Sequence, residues 1–311
     1  MALDKAFLEK LLAGDRLAIA KAISIVENDH ADAMALLKAI YGKTARGYRV
    51  GITGPPGAGK STITNKLAKY YRQQKKRIGI IAVDPTSPFT GGALLGDRVR
   101  MSEVELDEGV FIRSMASRGS LGGLSKKARE AADVLDAAGC DIILMETVGV
   151  GQSELDVARA ADTTVVVLVP ESGDSIQAMK AGLMEIADFF VVNKADRPGA
   201  EQAVMSIKMV LNFKSHGEGW SPDVLQTIAN DGTGIDKVAE MIDAHAQFLT
   251  SHSLLAPKRE ARALERTREL VEKRLQVEFW NESKEAALRE GIKDVAALKT
   301  TPYDLAEKLL K

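Results

Sequence analysis

The stretch Gly54-Pro55-Pro56-Gly57-Ala58-Gly59-Lys60-Ser61 constrains this chain more than any other. It fits G-x-x-x-x-G-K-[ST], a phosphate-binding loop, and that pattern carries meaning only between a strand and a helix. The flanking residues read as both. Tyr48-Arg49-Val50-Gly51-Ile52-Thr53 is short and β-branched enough for a buried strand. From Thr62 to Gln74, Ile63, Leu67 and Tyr70 or Tyr71 recur at helical spacing. In that arrangement the loop turns backbone N–H groups around a phosphate, and the helix start adds unpaired N–H groups and partial positive charge. Gly54, Gly57 and Gly59 permit backbone angles and a close approach that a Cβ would block. Lys60 is expected to reach the β- and γ-phosphates, and the Ser61 hydroxyl to bind Mg²⁺.

A chain of 311 residues, 45% of them hydrophobic, can bury one large α/β core with extensions. Lys and Arg number 42 against 43 Asp and Glu, so no basic excess points to nucleic acid and no acidic excess to disorder. Cys140 is the single cysteine, which excludes an internal disulfide and fits a reducing cytoplasm. It has no Cys or His neighbour at ligand spacing, and the four histidines are scattered. Asp4, Lys5, Glu9 and Lys10 interrupt any signal-peptide core, and the longest apolar run, Val165 to Val169, is too short to span a bilayer. The expectation is a soluble cytoplasmic protein with neither a nucleic-acid nor a membrane partner.

Hydrophobic periodicity divides the chain into three parts. Residues 1–45 carry helical stripes, among them Leu17, Ile19, Ala20, Ile23 and Val26, and form a helical N-terminal extension. Residues 46–256 alternate strands with helices. Strands are expected at 48–53, 77–83, 110–115, 141–146, 163–169, 188–193 and 223–228, and helices at 60–75, 124–138, 174–186, 199–213 and 234–249. Unbroken apolar runs such as Ile142-Ile143-Leu144-Met145 belong to strands buried on both faces, so the sheet is expected to be mostly parallel and covered by helices. Residues 257–311 form a helical C-terminal arm. Pro257 opens a run to about Glu290 with Leu264, Val271, Leu275 and Phe279 along one face. Read as one helix of ~30 residues it would be about 45 Å long. Thr301-Pro302-Tyr303-Asp304 reads as the cap of a last helix.

Three further motifs fall at strand ends, where ligands bind in such sheets. Asn193-Lys194-Ala195-Asp196 follows Phe189-Phe190-Val191-Val192 and fits N-K-x-D, in which a carboxylate accepts from the N1–H and exocyclic amine of guanine. Thr227-Ile228-Ala229-Asn230 follows the next strand, in the place of a loop that supports the base through backbone N–H groups, here Ala229. Glu146-Thr147-Val148-Gly149 stands where D-x-x-G is usual. Its acid can act through a metal-bound water, since Mg²⁺ keeps several waters, and its glycine N–H would sense the γ-phosphate. Asp84 ends a strand and Asp97 lies in the glycine-rich loop after it, both able to reach the metal shell. Gln152 stands at a spacing that differs from the usual water-orienting glutamine.

The segment Val83-Asp84-Pro85-Thr86-Ser87-Pro88-Phe89-Thr90-Gly91-Gly92-Ala93-Leu94-Leu95-Gly96-Asp97-Arg98-Val99-Arg100-Met101 closely resembles the first switch of the MeaB/ArgK GTPases. Glu146-Thr147-Val148-Gly149-Val150-Gly151-Gln152-Ser153-Glu154 is similar to their second. The resemblance spans nearly the whole chain. It implies an α/β fold with a mostly parallel sheet, a P-loop GTPase domain of the SIMIBI class with helical extensions at both ends. It implies GTP/GDP and Mg²⁺ as ligands. The nucleotide would meet Gly54 through Thr62, Gly149, Asn193, Lys194, Asp196 and Ala229, and the metal Ser61, Asp84, Asp97 and Glu146. Lys60, Asp97 and Glu146 would be catalytic. It further implies a homodimer, built through the arm, that chaperones adenosylcobalamin-dependent methylmalonyl-CoA mutase. GTP hydrolysis would gate cofactor loading and protection from inactivation. A third loop, Glu171 to Lys180, would relay nucleotide state to the mutase through Asp174, Gln177 and Lys180. Two alternatives stay open: an ArgK-type kinase of a transport protein or small molecule, against which N-K-A-D speaks, and a non-catalytic nucleotide-binding scaffold.

Overall fold

Strands that are apolar on both faces need cover on both faces, and the computed structural model supplies it. The structure describes residues 4–84, 104, 106–116, 126–147, 153–170, 182–214 and 219–311. Three helices open the chain: α1 (Lys5–Leu12), α2 (Arg16–Glu27) and α3 (Ala33–Ile40). Asp4 and Asp15 cap the first two by accepting from backbone N–H groups three residues on. There follow β1 (Tyr48–Thr53), α4 (Lys60–Gln73), β2 (Ile78–Asp84), β3 (Val110–Ala116), α5 (Lys126–Ala137), β4 (Ile142–Glu146), α6 (Ser153–Ala160) and β5 (Thr163–Leu168). Then come α7 (Leu183–Ile186), β6 (Phe189–Asn193), α8 (Ala200–Lys214), β7 (Val224–Thr227) and α9 (Ile235–Ser251).

The strands form one parallel sheet in the order β3-β2-β4-β1-β5-β6-β7. Side chains alternate across it with the period of two that strand geometry imposes. Ile143 and Met145 join α2, α3 and α5 in a core on one face, so the N-terminal helices share the sheet's core. Val50, Ile52, Ile142, Leu144, Val165 and Val167 join α4 and α9 on the other. Val166, Leu168, Phe190 and Val192 pack with α7 and α8.

The edge of the sheet where the strands begin is tied by buried charge. Asp136, fully buried, accepts from the backbone N–H groups of Ala45 (2.9 Å), Arg46 (3.1 Å) and Gly47 (2.9 Å). It also accepts from Arg49 Nη2 at 3.1 Å, and Asp133 accepts from the same nitrogen at 2.7 Å. Burial opposes the Arg49 charge, and these two carboxylates more than offset it, raising the guanidinium pKa. Burial pushes the Cys140 thiol up to about 12, so this cysteine is an inert packing residue.

The C-terminal residues depart from expectation in one respect. The run from Pro257 is two helices, α10 (Leu255–Phe279) and α11 (Glu282–Ala296), followed by α12 (Pro302–Leu310). The break falls where Asn281 leaves the helix and its side chain accepts from the Lys284 N–H at 3.0 Å, an N-cap that starts α11 afresh. Thr301 and Asp304 form the capping box of α12. Leu305 and Leu309 are buried, and a Cβ on Gly291 would lie 2.4 Å from Leu305 Cδ1, so that glycine permits the contact between α11 and α12. The helix α6 had no counterpart in the sequence reading. By density of contacts the chain falls into two units, Met1–Leu255 and Ala256–Lys311. Among the described residues, no helix is long and apolar enough to cross a membrane.

Candidate nucleotide-binding site

The loop between β1 and α4 takes the conformation its glycines allow. Gly54, Gly57 and Gly59 have φ of 135°, 75° and 89°. A Cβ on Gly54 would lie 2.0 Å from the Val167 carbonyl oxygen of β5, whereas a Cβ on Gly57 would meet nothing within 4 Å. Gly54 is therefore fixed by the neighbouring strand, and Gly57 faces open space. Gly59 is the N-cap of α4, which places the helix's first N–H groups at the loop. Pro55, Pro56 and Ala58 complete the turn, Ala58 buried, and Thr62 lies in the first turn of α4.

Lys60 is 6% exposed, and its Nζ donates to the carbonyls of Gly54 and Pro55, each at 3.0 Å. The ammonium thus bridges the loop whose N–H groups would hold a phosphate. Its three hydrogens and flexible stem let it exchange a carbonyl for a phosphate oxygen.

Beside the loop, β4 ends at Glu146, whose Oε1 accepts from the Ser61 hydroxyl at 2.5 Å. Both side chains are buried, Glu146 at 4% exposure. A hydroxyl against a carboxylate is an all-oxygen donor set, which suits a hard cation such as Mg²⁺. The next residue, Thr147, donates from Oγ1 to Thr53 Oγ1 (3.0 Å) and from its N–H to the Ile52 carbonyl (3.1 Å). These bonds moor the start of the segment after β4 to the strand that feeds the glycine loop. Asp84 is the last residue of β2, two strands from β1 in the sheet.

At the end of β6, Asn193 is 3% exposed and touches two other loops. Its Nδ2 donates to the Ala58 carbonyl at 2.8 Å. Its Oδ1 accepts from Thr227 Oγ1 at 3.0 Å and from the Ala229 N–H at 3.1 Å. Lys194 adopts φ 58°, turning the chain so that the Ala195 N–H reaches the Thr227 carbonyl at 3.0 Å and Asp196 stands exposed. Ala229 was expected to offer its N–H to the base. Here that N–H donates to Asn193, so Ala229 acts on the asparagine. Sequence reasoning missed Thr227 in this role, because the bond crosses 34 residues.

The structure therefore gathers Gly54–Thr62, Glu146, Asn193, Lys194, Asp196 and Ala229 at the ends of β1, β4, β6 and β7. Asp97, Gly149, Gln152, Asp174, Gln177 and Lys180 lie outside the described residues. Among the described residues, no cluster of three or more His, Cys, Asp or Glu could hold a metal alone.

Comparison with known proteins follows the same lines. The profile of the family described as methylmalonyl Co-A mutase-associated GTPase MeaB matches residues 19–284. A Pyrococcus horikoshii protein, named provisionally as a GTPase, is 52% identical over 85% of this chain and 84% of its own length. The GTPase ArgK of Escherichia coli is 37% identical over 85% of this chain and 82% of its own length. The crystal structure of a LAO/AO transport system kinase superposes with a TM-score of 0.75 at 29% identity, covering 99% of this chain and 98% of that one.

Proposed function

Since the chain belongs to the family of methylmalonyl-CoA mutase-associated GTPases and is thereby a P-loop GTPase, we propose that it couples GTP hydrolysis to an adenosylcobalamin-dependent methylmalonyl-CoA mutase, gating cofactor loading and protecting the enzyme from inactivation. One observation carries the site assignment. The glycine loop, the acid of β4 and N-K-A-D are joined by the bonds Ser61–Glu146 and Asn193–Ala58. These contacts between three motifs far apart in sequence support reading them as one site.

In this reading the loop N–H groups and the start of α4 hold the phosphates, and Lys60 balances charge on the β- and γ-phosphoryl oxygens. Asp196 accepts from guanine and leaves adenine with unmet acceptors opposite it. Ser61 and Glu146, with Asp97 and Asp84, would hold Mg²⁺, which supplies charge neutralisation at the phosphates when bound. Glu171–Lys180, through Asp174, Gln177 and Lys180, relays nucleotide state to the mutase. By linkage the mutase then alters nucleotide affinity by the same factor. The arm carries the homodimer: Leu264, Val271 and Leu275 are each more than half exposed, an apolar stripe open to a second copy. The mouse relative, named methylmalonic aciduria type A homolog, is 37% identical over 79% of this chain and supports the mutase reading.

The name of the superposed kinase supports a second reading, phosphoryl transfer to an acceptor. GTP turnover with and without methylmalonyl-CoA mutase tests both. Release of inorganic phosphate at a rate the mutase changes is the expected result. Label retained on a protein or small-molecule acceptor would favour the kinase, and indifference to the mutase would refute the chaperone role.

A further inference from the structure

Where β4 ends, two neighbouring residues serve opposite faces of the sheet, because strand geometry turns successive side chains to opposite sides. Glu146 turns to the face of α4 and meets Ser61. Thr147 turns to the other face, as Met145 does. Thr53 of β1 lies on that face too, since Val50 and Ile52 fill the α4 side. There the Thr147 hydroxyl donates to Thr53 Oγ1 at 3.0 Å. Thr53 is fully buried and Thr147 is 2% exposed, so bulk water does not compete for this bond.

Thr53 is a rigid post. It pairs with Val166 of β5, and the backbone of the next residue, Gly54, is wedged against the Val167 carbonyl. Thr147 is tied to β1 twice, by this hydroxyl and by its N–H to the Ile52 carbonyl at 3.1 Å. The backbone bond alone would leave the chain free to turn about it. The side-chain bond removes that freedom, because β-branched threonines are stiff at χ1 and a bond between their hydroxyls holds the backbones that carry them. Gly149, outside the described residues, is two residues further on, so at most about 7 Å of chain separates it from this anchor.

We propose that Thr147, held by Thr53, is a positioning residue for GTP hydrolysis. The hydroxyl pair sets the direction in which the chain leaves β4, and so limits where the Gly149 N–H can meet the γ-phosphate. The inference rests on the reading of E-T-V-G as the γ-phosphate segment and deepens it. GDP has no γ-phosphate, so the pair serves the triphosphate alone.

The experiment measures single-turnover GTP hydrolysis at saturating nucleotide, GDP affinity and the urea midpoint, all on the full chain. Thr147→Val has equal shape without the hydroxyl. It is expected to slow hydrolysis about threefold to tenfold, the worth of one hydrogen bond, and to leave GDP affinity within about twofold. Thr147→Ser keeps the hydroxyl and is expected to stay within about twofold in both. The double variant Thr53→Val with Thr147→Val separates positioning from stability. Replacing both partners of a buried bond by apolar groups of the same shape can be nearly neutral for folding. Its urea midpoint is therefore expected to return toward the natural value while hydrolysis stays about threefold to tenfold slow. A merely structural pair would recover its rate with its stability, and that result overturns the inference. A natural rate in Thr147→Val, or an equal loss of GDP affinity, overturns it as well. Should Thr147→Val not fold, Thr53→Val and the double variant read the same bond. Near-natural hydrolysis in Gly149→Ala would instead overturn the reading of E-T-V-G beneath it.

Discussion

Replacing Gly54 with alanine tests whether the glycine loop is held by the sheet. Two costs arise. The φ of 135° is one that L residues avoid, at about 1–3 kcal/mol. The new Cβ would stand 2.0 Å from the Val167 carbonyl oxygen, where ordinary contact begins at 3.4 Å, so something must shift by more than an ångström. β5 cannot give way easily, because Val165 and Val166 pair with β1 and Val165 through Leu168 pair with β6. Overpacking of this kind adds about 1–3 kcal/mol. Together these predict a loss of about 2–6 kcal/mol for Gly54→Ala. Gly57→Ala is the control. It has positive φ and nothing within 4 Å, so it should lose only about 1–2 kcal/mol. Urea unfolding of the two variants against the natural protein measures the difference. Equal midpoints for both would refute the idea that the neighbouring strand fixes the loop's first residue.

Asp196→Asn should weaken GTP binding and favour the xanthine nucleotide, because an amide donates where the carboxylate only accepts; titration with GTP and XTP checks this. Glu146→Gln and Ser61→Ala should spare GDP binding more than Mg²⁺-dependent hydrolysis, read by single-turnover assays, and near-natural rates in both would refute the metal assignment. Asp136→Asn should destabilise the fold by about 3–5 kcal/mol, since it breaks a buried charge pair, yet leave GDP affinity unchanged at the far edge of the sheet. Leu275→Glu should convert a full-length dimer into a monomer by light scattering, and a monomeric natural protein would refute the dimer.

The seven strands were legible to within about a residue at most ends. Val165–Val169 and Ile142–Met145 are long apolar runs between turn signals, and nothing competes with that reading. The helix α6 was not legible. It has eight residues, and of its described side chains only Val157 and Ala160 are buried, too few to show a period. The break at Asn281 was hidden for a different reason. No glycine or proline marks it, and apolar spacing continues past it, so only the cap itself reveals it. At the site, local motifs announced Lys60, Ser61, Glu146 and Asn193. The bond from Thr227 to Asn193 could not be announced, since register between β6 and β7 creates it.

The strand order has a consequence for how this protein is made. β1 lies in the middle of the sheet, yet its neighbours β4 and β5 come about 90 and 115 residues later in the chain. A ribosome adding about 5–20 residues per second therefore takes roughly 10–35 s to extend the chain by the roughly 175 residues from Gly54 to Ala229. Until Val167 and Asn193 have been added the nascent glycine loop has no Val167 carbonyl behind it and no Asn193 amide against it, and until Thr227 and Ala229 follow that amide lacks the two donors to its oxygen. Nucleotide in the cell cannot act as a template for the early chain. It can only capture the domain once β7 has emerged, so protease resistance conferred by GDP on stalled chains should rise abruptly at that length.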